Sequence, residues 1–288
     1  MSALPETKSD PGEPPSLNVT SYGMSDCGQK RTSNEDCFVI AEFARTLSVR
    51  HTNIPHPNPT YSSHRGHVFL VADGVGGRNA GEVASALSVT TIEEFLLNTF
   101  RRLTILPPGD EHKVLNELKA ALFQADARIF EETSHHPEWK GMGTTLTMAL
   151  AVNRRLLVAH AGDSRCYLYS GGRLQKITND HTITAELQRT GLLSAEDAAV
   201  HPWRHVVSNL LGGKEPGVQV EVHSLELHKD DMVLLCSDGL TEMIPENDIA
   251  EMLRSEPNPK LACEKLVAEA NQRGGRDNIT VIVAHVDV

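Results

Sequence analysis

The stretch Val68-Phe69-Leu70-Val71-Ala72-Asp73-Gly74-Val75-Gly76-Gly77-Arg78-Asn79-Ala80-Gly81-Glu82 constrains this chain more than any other. An unbroken apolar run bounded by a turn reads as a strand covered on both faces, so the chain must supply a layer on either side of it. The run ends on a carboxylate, Asp73, and a turn crowded with glycine follows. After Gly81 the residues Val83, Ala86, Val89, Ile92 and Leu96 fall on one face of a 3.6-residue period, the mark of an amphipathic helix. Glycines in such a turn let backbone come close to a cation or a phosphate.

Familiar phosphate-binding turns do not fit. Gly74-x-Gly76 begins like a dinucleotide fingerprint, but Asn79 stands where the third glycine belongs. The acids about twenty positions on, Glu93 and Glu94, lie inside the helix instead of closing a second parallel strand. A P-loop fails because Gly81 is followed by Glu82 where lysine is required. On this stretch alone, a purely structural turn stays open.

The 288 residues are enough to bury a substantial core, and 40% hydrophobic with 23% charged residues is ordinary for a globular protein. A net charge of −11 argues against nucleic acid or an anionic membrane as partner, since both need clustered Lys and Arg. It suits a chain that gathers carboxylates around cations. The five cysteines (Cys27, Cys37, Cys166, Cys236, Cys263) are scattered, with no CxxC pair, and read as reduced thiols of a cytoplasmic protein. No signal peptide and no membrane-length apolar run is apparent.

Residues 1–17, rich in Pro, Ser, Glu and Asp, read as a disordered tail, and 18–288 as a single domain. Alternation predicts strands over 17–26 and 37–43, with a polar segment ending in Glu35-Asp36 between them. Residues 44–66, with Pro55, Pro57 and Pro59, form a long loop whose His51, His56 and His64, with the adjoining His67, are too irregularly spaced for a metal site. Leu115, Leu118, Leu122, Ala125 and Ile129 mark a second helix. Strands at 144–152, 156–161 and 166–169, and a further segment with Leu174 and Ile177, make an antiparallel meander. Residues 182–210 are short helices and loops; 218–227, 232–236 and 279–286 return to strand. Pro245 and Pro259 suit the first positions of two late helices, the second capped by Asn258 and stopped by Gly274-Gly275. The inventory is α+β.

Several acids share the placement of Asp73 at or beside a strand end: Glu35 and Asp36, Asp163 in Gly162-Asp163-Ser164-Arg165, Asp238 in Ser237-Asp238-Gly239, and Asp277 before Asn278. One such acid is usually a turn residue. Together, at sheet ends that lie close in space, they suit a hard cation such as Mg2+ or Mn2+, while zinc is disfavoured without a His/Cys set.

The segments SDCGQKRTSNEDCFVI, VFLVADGVGGRNAGEVAS, GMGTTLTMAL, AHAGDSRCYLY, LLCSDGLTEMI and GGRDNITVIVAHV resemble, in order, the motifs of the metal-dependent PPM-type (type-2C) Ser/Thr protein phosphatases. Asp180-His181-Thr182 and His201 to Gly212 are similar to segments of compact bacterial members. The resemblance implies a four-layer αββα sandwich, two antiparallel central sheets flanked by helix pairs, with two to three Mn2+ or Mg2+ ions at one end. It implies that Asp73 bridges two cations, Gly74 offers its carbonyl, Asp238 and Asp277 complete one shell, and Glu35 serves the other with Asp36 steadying it. By the same resemblance Asp163 would join Asp238 at a third cation and Arg31 would grip the substrate phosphate, and Asn278 follows Asp277 as in the family's DN pair. Water bridging the cations then attacks phosphorus in line.

Two features depart from the family pattern. Val75 stands where many eukaryotic members carry a histidine proposed to protonate the leaving group, and His181 is not promoted to that role. The 44–66 loop is longer than the connection usual in compact members. The expected activity is hydrolysis of phosphoserine and phosphothreonine in proteins, reversing a Ser/Thr kinase, by a monomer that uses 182–210 as a flap in substrate choice. The alternatives are a phosphatase dedicated to a sigma-factor-pathway regulator and a pseudophosphatase binding module.

Overall fold

The computed structural model describes residues 18–44, 65–76, 80–103 and 109–287, with side chains from 66 to 99 rather than 65 to 103 in the third strand and first helix. The expected tail at 1–17, most of the 44–66 loop with His51, His56 and His64, and Gly77, Arg78 and Asn79 of the turn lie outside the described residues.

The chain runs β1 (Val19–Asp26), β2 (Asp36–Ala44), β3 (Arg65–Val75), α1 (Ala80–Leu103), α2 (Glu111–His135), β4 (Gly143–Thr144), β5 (Leu146–Val152) and β6 (Arg155–Ala161). It continues through β7 (Arg165–Ser170), β8 (Arg173–Lys176), α3 (Ile183–Arg189), α4 (Ala195–Val200), β9 (Leu211–Gly212), β10 (Glu221–Glu226) and β11 (Met232–Cys236). The last elements are α5 (Asp238–Thr241), α6 (Glu246–Ser255), α7 (Pro259–Gln272) and β12 (Ile279–Val286).

Two sheets result, one ordered β1-β12-β11-β7-β8 and the other β10-β6-β5-β3-β4-β9 with β2 also on β3. Every named pair in them is antiparallel. The alternation of side chains along β3 explains its unbroken apolar run. Phe69 and Val71 point into the layer between the sheets, meeting a core that includes Cys166, Val233, Leu235 and Ile282. Val68, Leu70 and Ala72 point the other way, into a core shared with Leu118, Leu122 and Ile129 of α2. On the far side Leu234, Val281 and Val283 pack with Ile249 of α6 and Leu266 of α7. The four-layer sandwich expected from the sequence is the architecture observed.

Several local expectations need correction. β3 extends through Val75, so Asp73 lies inside a strand, paired with Asp36, and not at its end. Asp238 opens the short helix α5 instead of closing β11. The 144–152 strand is broken at Thr145, which leaves that residue free to bond Asp73. Pro245 is the cap of α6, its carbonyl accepting from Asp248 and Ile249, and not the first helical residue. Pro259 does open α7, and Asn258 caps it by accepting from the Lys260 and Leu261 amides.

The buried face of α1 also differs. Ala86 is exposed, and the face turned inward carries Ala84, Ser85, Ser88, Thr91 and Ile92. Apolar periodicity alone misreads it because hydroxyls occupy core positions. Thr91 returns its hydroxyl to the Leu87 carbonyl at 2.8 Å, and Ser85 spends its own on the Glu35 carbonyl at 2.7 Å.

Candidate metal centre and active site

The two sheets bring their chemistry to one end. Asp73 is held by backbone bonds: its amide donates to the Thr145 hydroxyl at 3.1 Å, and its carbonyl accepts from the Thr145 amide and Thr144 hydroxyl, both at 2.9 Å. The Gly74 amide donates to the Glu35 carbonyl at 3.2 Å. A Cβ on Gly81 would lie 2.8 Å from Glu35 Oε2 and from the Gly74 carbonyl oxygen, so only glycine lets the start of α1 press against this corner.

Asn278 joins the other sheet to the same corner. Its Oδ1 accepts from the Glu35 amide at 2.9 Å, and its Nδ2 donates to the Ser33 carbonyl at 2.9 Å and the Cys27 carbonyl at 3.1 Å. The loop from Cys27 to Glu35 is thereby fixed by a residue about 250 positions away. Arg31, on this loop, donates from Nη2 to Asp277 Oδ2 at 2.6 Å.

Arg31, Glu35, Asp73, Gly74, Asp163, Asp238, Asp277 and Asn278 line a single cleft of about 420 Å³. Asp36 is the exception among the residues singled out from the sequence. It turns inward, accepts from the Ser237 hydroxyl at 2.7 Å through Oδ2, and does not line the cleft. Asp36 opens β2 and turns toward Ser237, while Glu35, just before the strand, lines the cleft.

Crowding shows in the proton affinities. Burial first, then the carboxylates of Asp36, Asp238, Asp163 and Asp277, holds Asp73 well above the usual range. Burial and the neighbouring Asp238 do the same to Asp163. Burial pushes Asp238 up to about 7, helped by Glu242 and Asp277, and burial pushes Asp36 up to about 7. Glu35 is also raised, by burial, with Arg31 opposing. Oxygen donors that resist ionising side by side fit a site whose missing charge is a divalent cation.

The protein phosphatase 2C family model matches residues 60–274. The chain belongs to that family. This phosphatase is 33% identical over 240 residues to Serine/threonine phosphatase stp of Listeria monocytogenes, a match covering 83% of this chain and 92% of that protein. It is 30% identical over 265 residues to Protein phosphatase PhpP of Streptococcus pneumoniae, covering 92% of this chain and 96% of the other. The crystal structure of the Mycobacterium tuberculosis serine/threonine phosphatase PstP/Ppp matches with a TM-score of 0.75 at 30% identity, over 94% of this chain and 100% of that one. The catalytic domain of PstP in complex with two manganese ions matches with a TM-score of 0.73 at 30% identity, over 95% and 100%.

Sequence reasoning missed several residues of the phosphatase's site. Thr145 links Asp73 to Ser164, whose hydroxyl lies 2.7 Å from its own. Ser85 and Ser237 each satisfy a polar group of the Glu35-Asp36 pair. His205 and Glu242 line the cleft as well. Glu242 had a signal, since it follows Asp238 by one helical turn; His205 had none. His181 is not a cleft residue. Its Nδ1 accepts from the Gly162 amide at 3.1 Å and the Asn209 side chain at 2.8 Å, tying 182–210 to the Asp163 loop. Val75, 40% exposed, lines the cleft and carries no titratable proton.

Proposed function

We propose that this protein phosphatase hydrolyses phosphoserine and phosphothreonine in proteins with two divalent cations, Mn2+ or Mg2+, held in the cleft. The observation that carries this reading is the convergence of Glu35, Asp73, Asp163, Asp238 and Asp277 on one space beside Arg31. Bound cations supply positive charge for the phosphate oxygens and acidify a water.

The chain's own residues do the rest. Asp73, rigid between Thr145 and β2, would be the carboxylate that serves both cations, with the Gly74 carbonyl beside it. Asp238 and Asp277 would hold one cation and Glu35 the other, while Asp36, bonded to Ser237, would steady the shell beside Glu35. Asp163 and Asp238 would serve a third. Arg31 presents parallel guanidinium donors to the phosphate, and Asn278 keeps the Arg31 loop in place. In the hydrolysis the oxygen of water would bond to phosphorus as the bond to the seryl or threonyl oxygen breaks, one of the water's protons ending on the released hydroxyl and the other on inorganic phosphate.

The substrates are phosphoproteins, and the physiological role we propose is reversal of a Ser/Thr kinase, in the cytoplasm, by a monomer. Among the described residues no helix is long and apolar enough to cross a membrane. The 182–210 segment, tied down through His181, is proposed to act in substrate choice; its deletion should change peptide preference more than p-nitrophenyl phosphate turnover. Neither a sigma-factor-pathway role nor a pseudophosphatase finds support in a cleft with its acids complete. Purified protein with Mn2+ should hydrolyse p-nitrophenyl phosphate and phosphothreonine peptides, and EDTA should abolish this. Full activity in both Asp73→Ala and Asp238→Asn would overturn the assignment.

A further inference from the structure

A second cavity adjoins the catalytic cleft, walled by α3, α4 and the Arg165–Asp180 pair. The residues that border both cavities are Asp163, His205, Asp238 and Glu242. They form the partition between them. One ligand atom from each of His205, Asp238 and Glu242 lies within 4.8 Å of the others. His205 Nδ1 is in direct contact with Glu242 Oε1. Asp163, 7% exposed, opens onto the same wall from both cavities. Arg204 and Arg276 face the group from the second cavity without neutralising its carboxylates by an ion pair among the described residues.

We propose that His205 and Glu242 join Asp163 and Asp238 in a cation site of mixed nitrogen and oxygen donors that prefers Mn2+ to Mg2+. The inference rests on the metal-dependent reading above and adds to it two donors from this chain. An imidazole nitrogen favours a first-row transition cation, whereas Mg2+ holds to oxygen donors and keeps its waters. The elements involved give the site a second consequence. Asp163, Asp238 and Glu242 sit on the two sheets' end, while His205 belongs to the 182–210 segment. A cation shared among them ties that segment to the catalytic floor, so the metal that fills the site also sets the position of the segment.

The test uses the full chain with Trp139→Phe, which leaves Trp203, two positions from His205, as its remaining tryptophan. Mn2+ bound per chain is counted by equilibrium dialysis, and quenching of Trp203 fluorescence by Mn2+ is followed in parallel. The expected result is that His205→Asn and Glu242→Gln each lose the weakest Mn2+ and its quenching, while the tighter Mn2+ remains. Mg2+ in tenfold excess should fail to reverse the quenching in the parent protein. If both variants keep the parent's Mn2+ count and quenching, or if Mg2+ displaces that ion readily, this site is wrong and the dinuclear centre stands. If the parent binds no Mn2+ at all, the metal-dependent reading falls and takes this site with it.

Discussion

The Arg31 guanidinium donates to Asp277 Oδ2 at 2.6 Å, so the residue assigned to the substrate phosphate holds one of the carboxylates assigned to a cation. This bond raises the proton affinity of Arg31 further, so the guanidinium stays charged at any working pH. A cation held by Asp277 would compete for the same oxygens and would leave Arg31 free to meet the substrate.

Arg31→Ala is therefore expected to raise KM for p-nitrophenyl phosphate about tenfold or more, the loss of a charge-assisted pair worth roughly 1.5–3 kcal/mol. Mn2+ affinity, read by titration calorimetry, should hold or improve. Arg31→Lys should recover little, because a point charge lacks the parallel donors. A drop in Mn2+ affinity would show instead that Arg31 orients Asp277 for the metal.

Asn278→Ala removes three anchors of the Cys27–Glu35 loop at a position only 5% exposed. Each group left unsatisfied costs about 1–3 kcal/mol, so a clear fall in melting temperature is expected. Mn2+ affinity should drop roughly 10- to 100-fold, as for residues that orient ligands from behind. An unchanged affinity would mean that Glu35 needs no such support.

The raised carboxylates give the metal-free protein an inverted acid response. Asp36 and Asp238 rise to about 7 when folded, so the native state binds more protons than the unfolded chain between the ordinary aspartate range and pH 7. Stability contributed by those protons is present at low pH and disappears as pH climbs through about 7. In EDTA, melting temperature should fall from pH 5 to pH 8, and Mn2+ should reverse the trend by rewarding the ionised forms. A melting temperature that rises over this range in EDTA would contradict the crowding.

Gly81→Ala places a methyl 2.8 Å from Glu35 Oε2 and the Gly74 carbonyl oxygen. Backbone cannot yield there cheaply, so a destabilisation of about 1–3 kcal/mol is expected in a chemical melt. The displaced Glu35 should also weaken Mn2+ binding. Wild-type values for both would show that the helix start has room to shift.

Much of the candidate site was legible because its acids sit in short motifs whose order the fold preserves. Asp73, Asp238 and Asp277 announce themselves beside strands and glycines, and the doubly buried β3 is written in its unbroken apolar run. What stayed hidden depends on approach through space. Thr145 and Ser85 are unremarkable in sequence, and only the broken β4–β5 strand and the inward face of α1 turn their hydroxyls onto Asp73 and Glu35. His205 reaches Glu242 from a segment with little regular structure, so no periodicity marks it. Asp36 shows the converse: adjacency to Glu35 suggested a place in the same cleft, but Asp36 turns inward to Ser237 and only Glu35 lines it.

The strand β12 lies between β1 and β11, and the residues just before it reach Arg31 and Glu35 near the start of the fold. A chain leaving the ribosome thus carries Asp73 and Glu35 long before it carries Asp277 and Asn278. Until the late strand slides between two made earlier, those first acids have nothing to gather around. Nascent chains arrested before Asp277 should bind Mn2+ no better than unfolded ones. Synthesis itself would then act as a safety catch, keeping a hydrolase idle until Asp277 and Asn278 have been made.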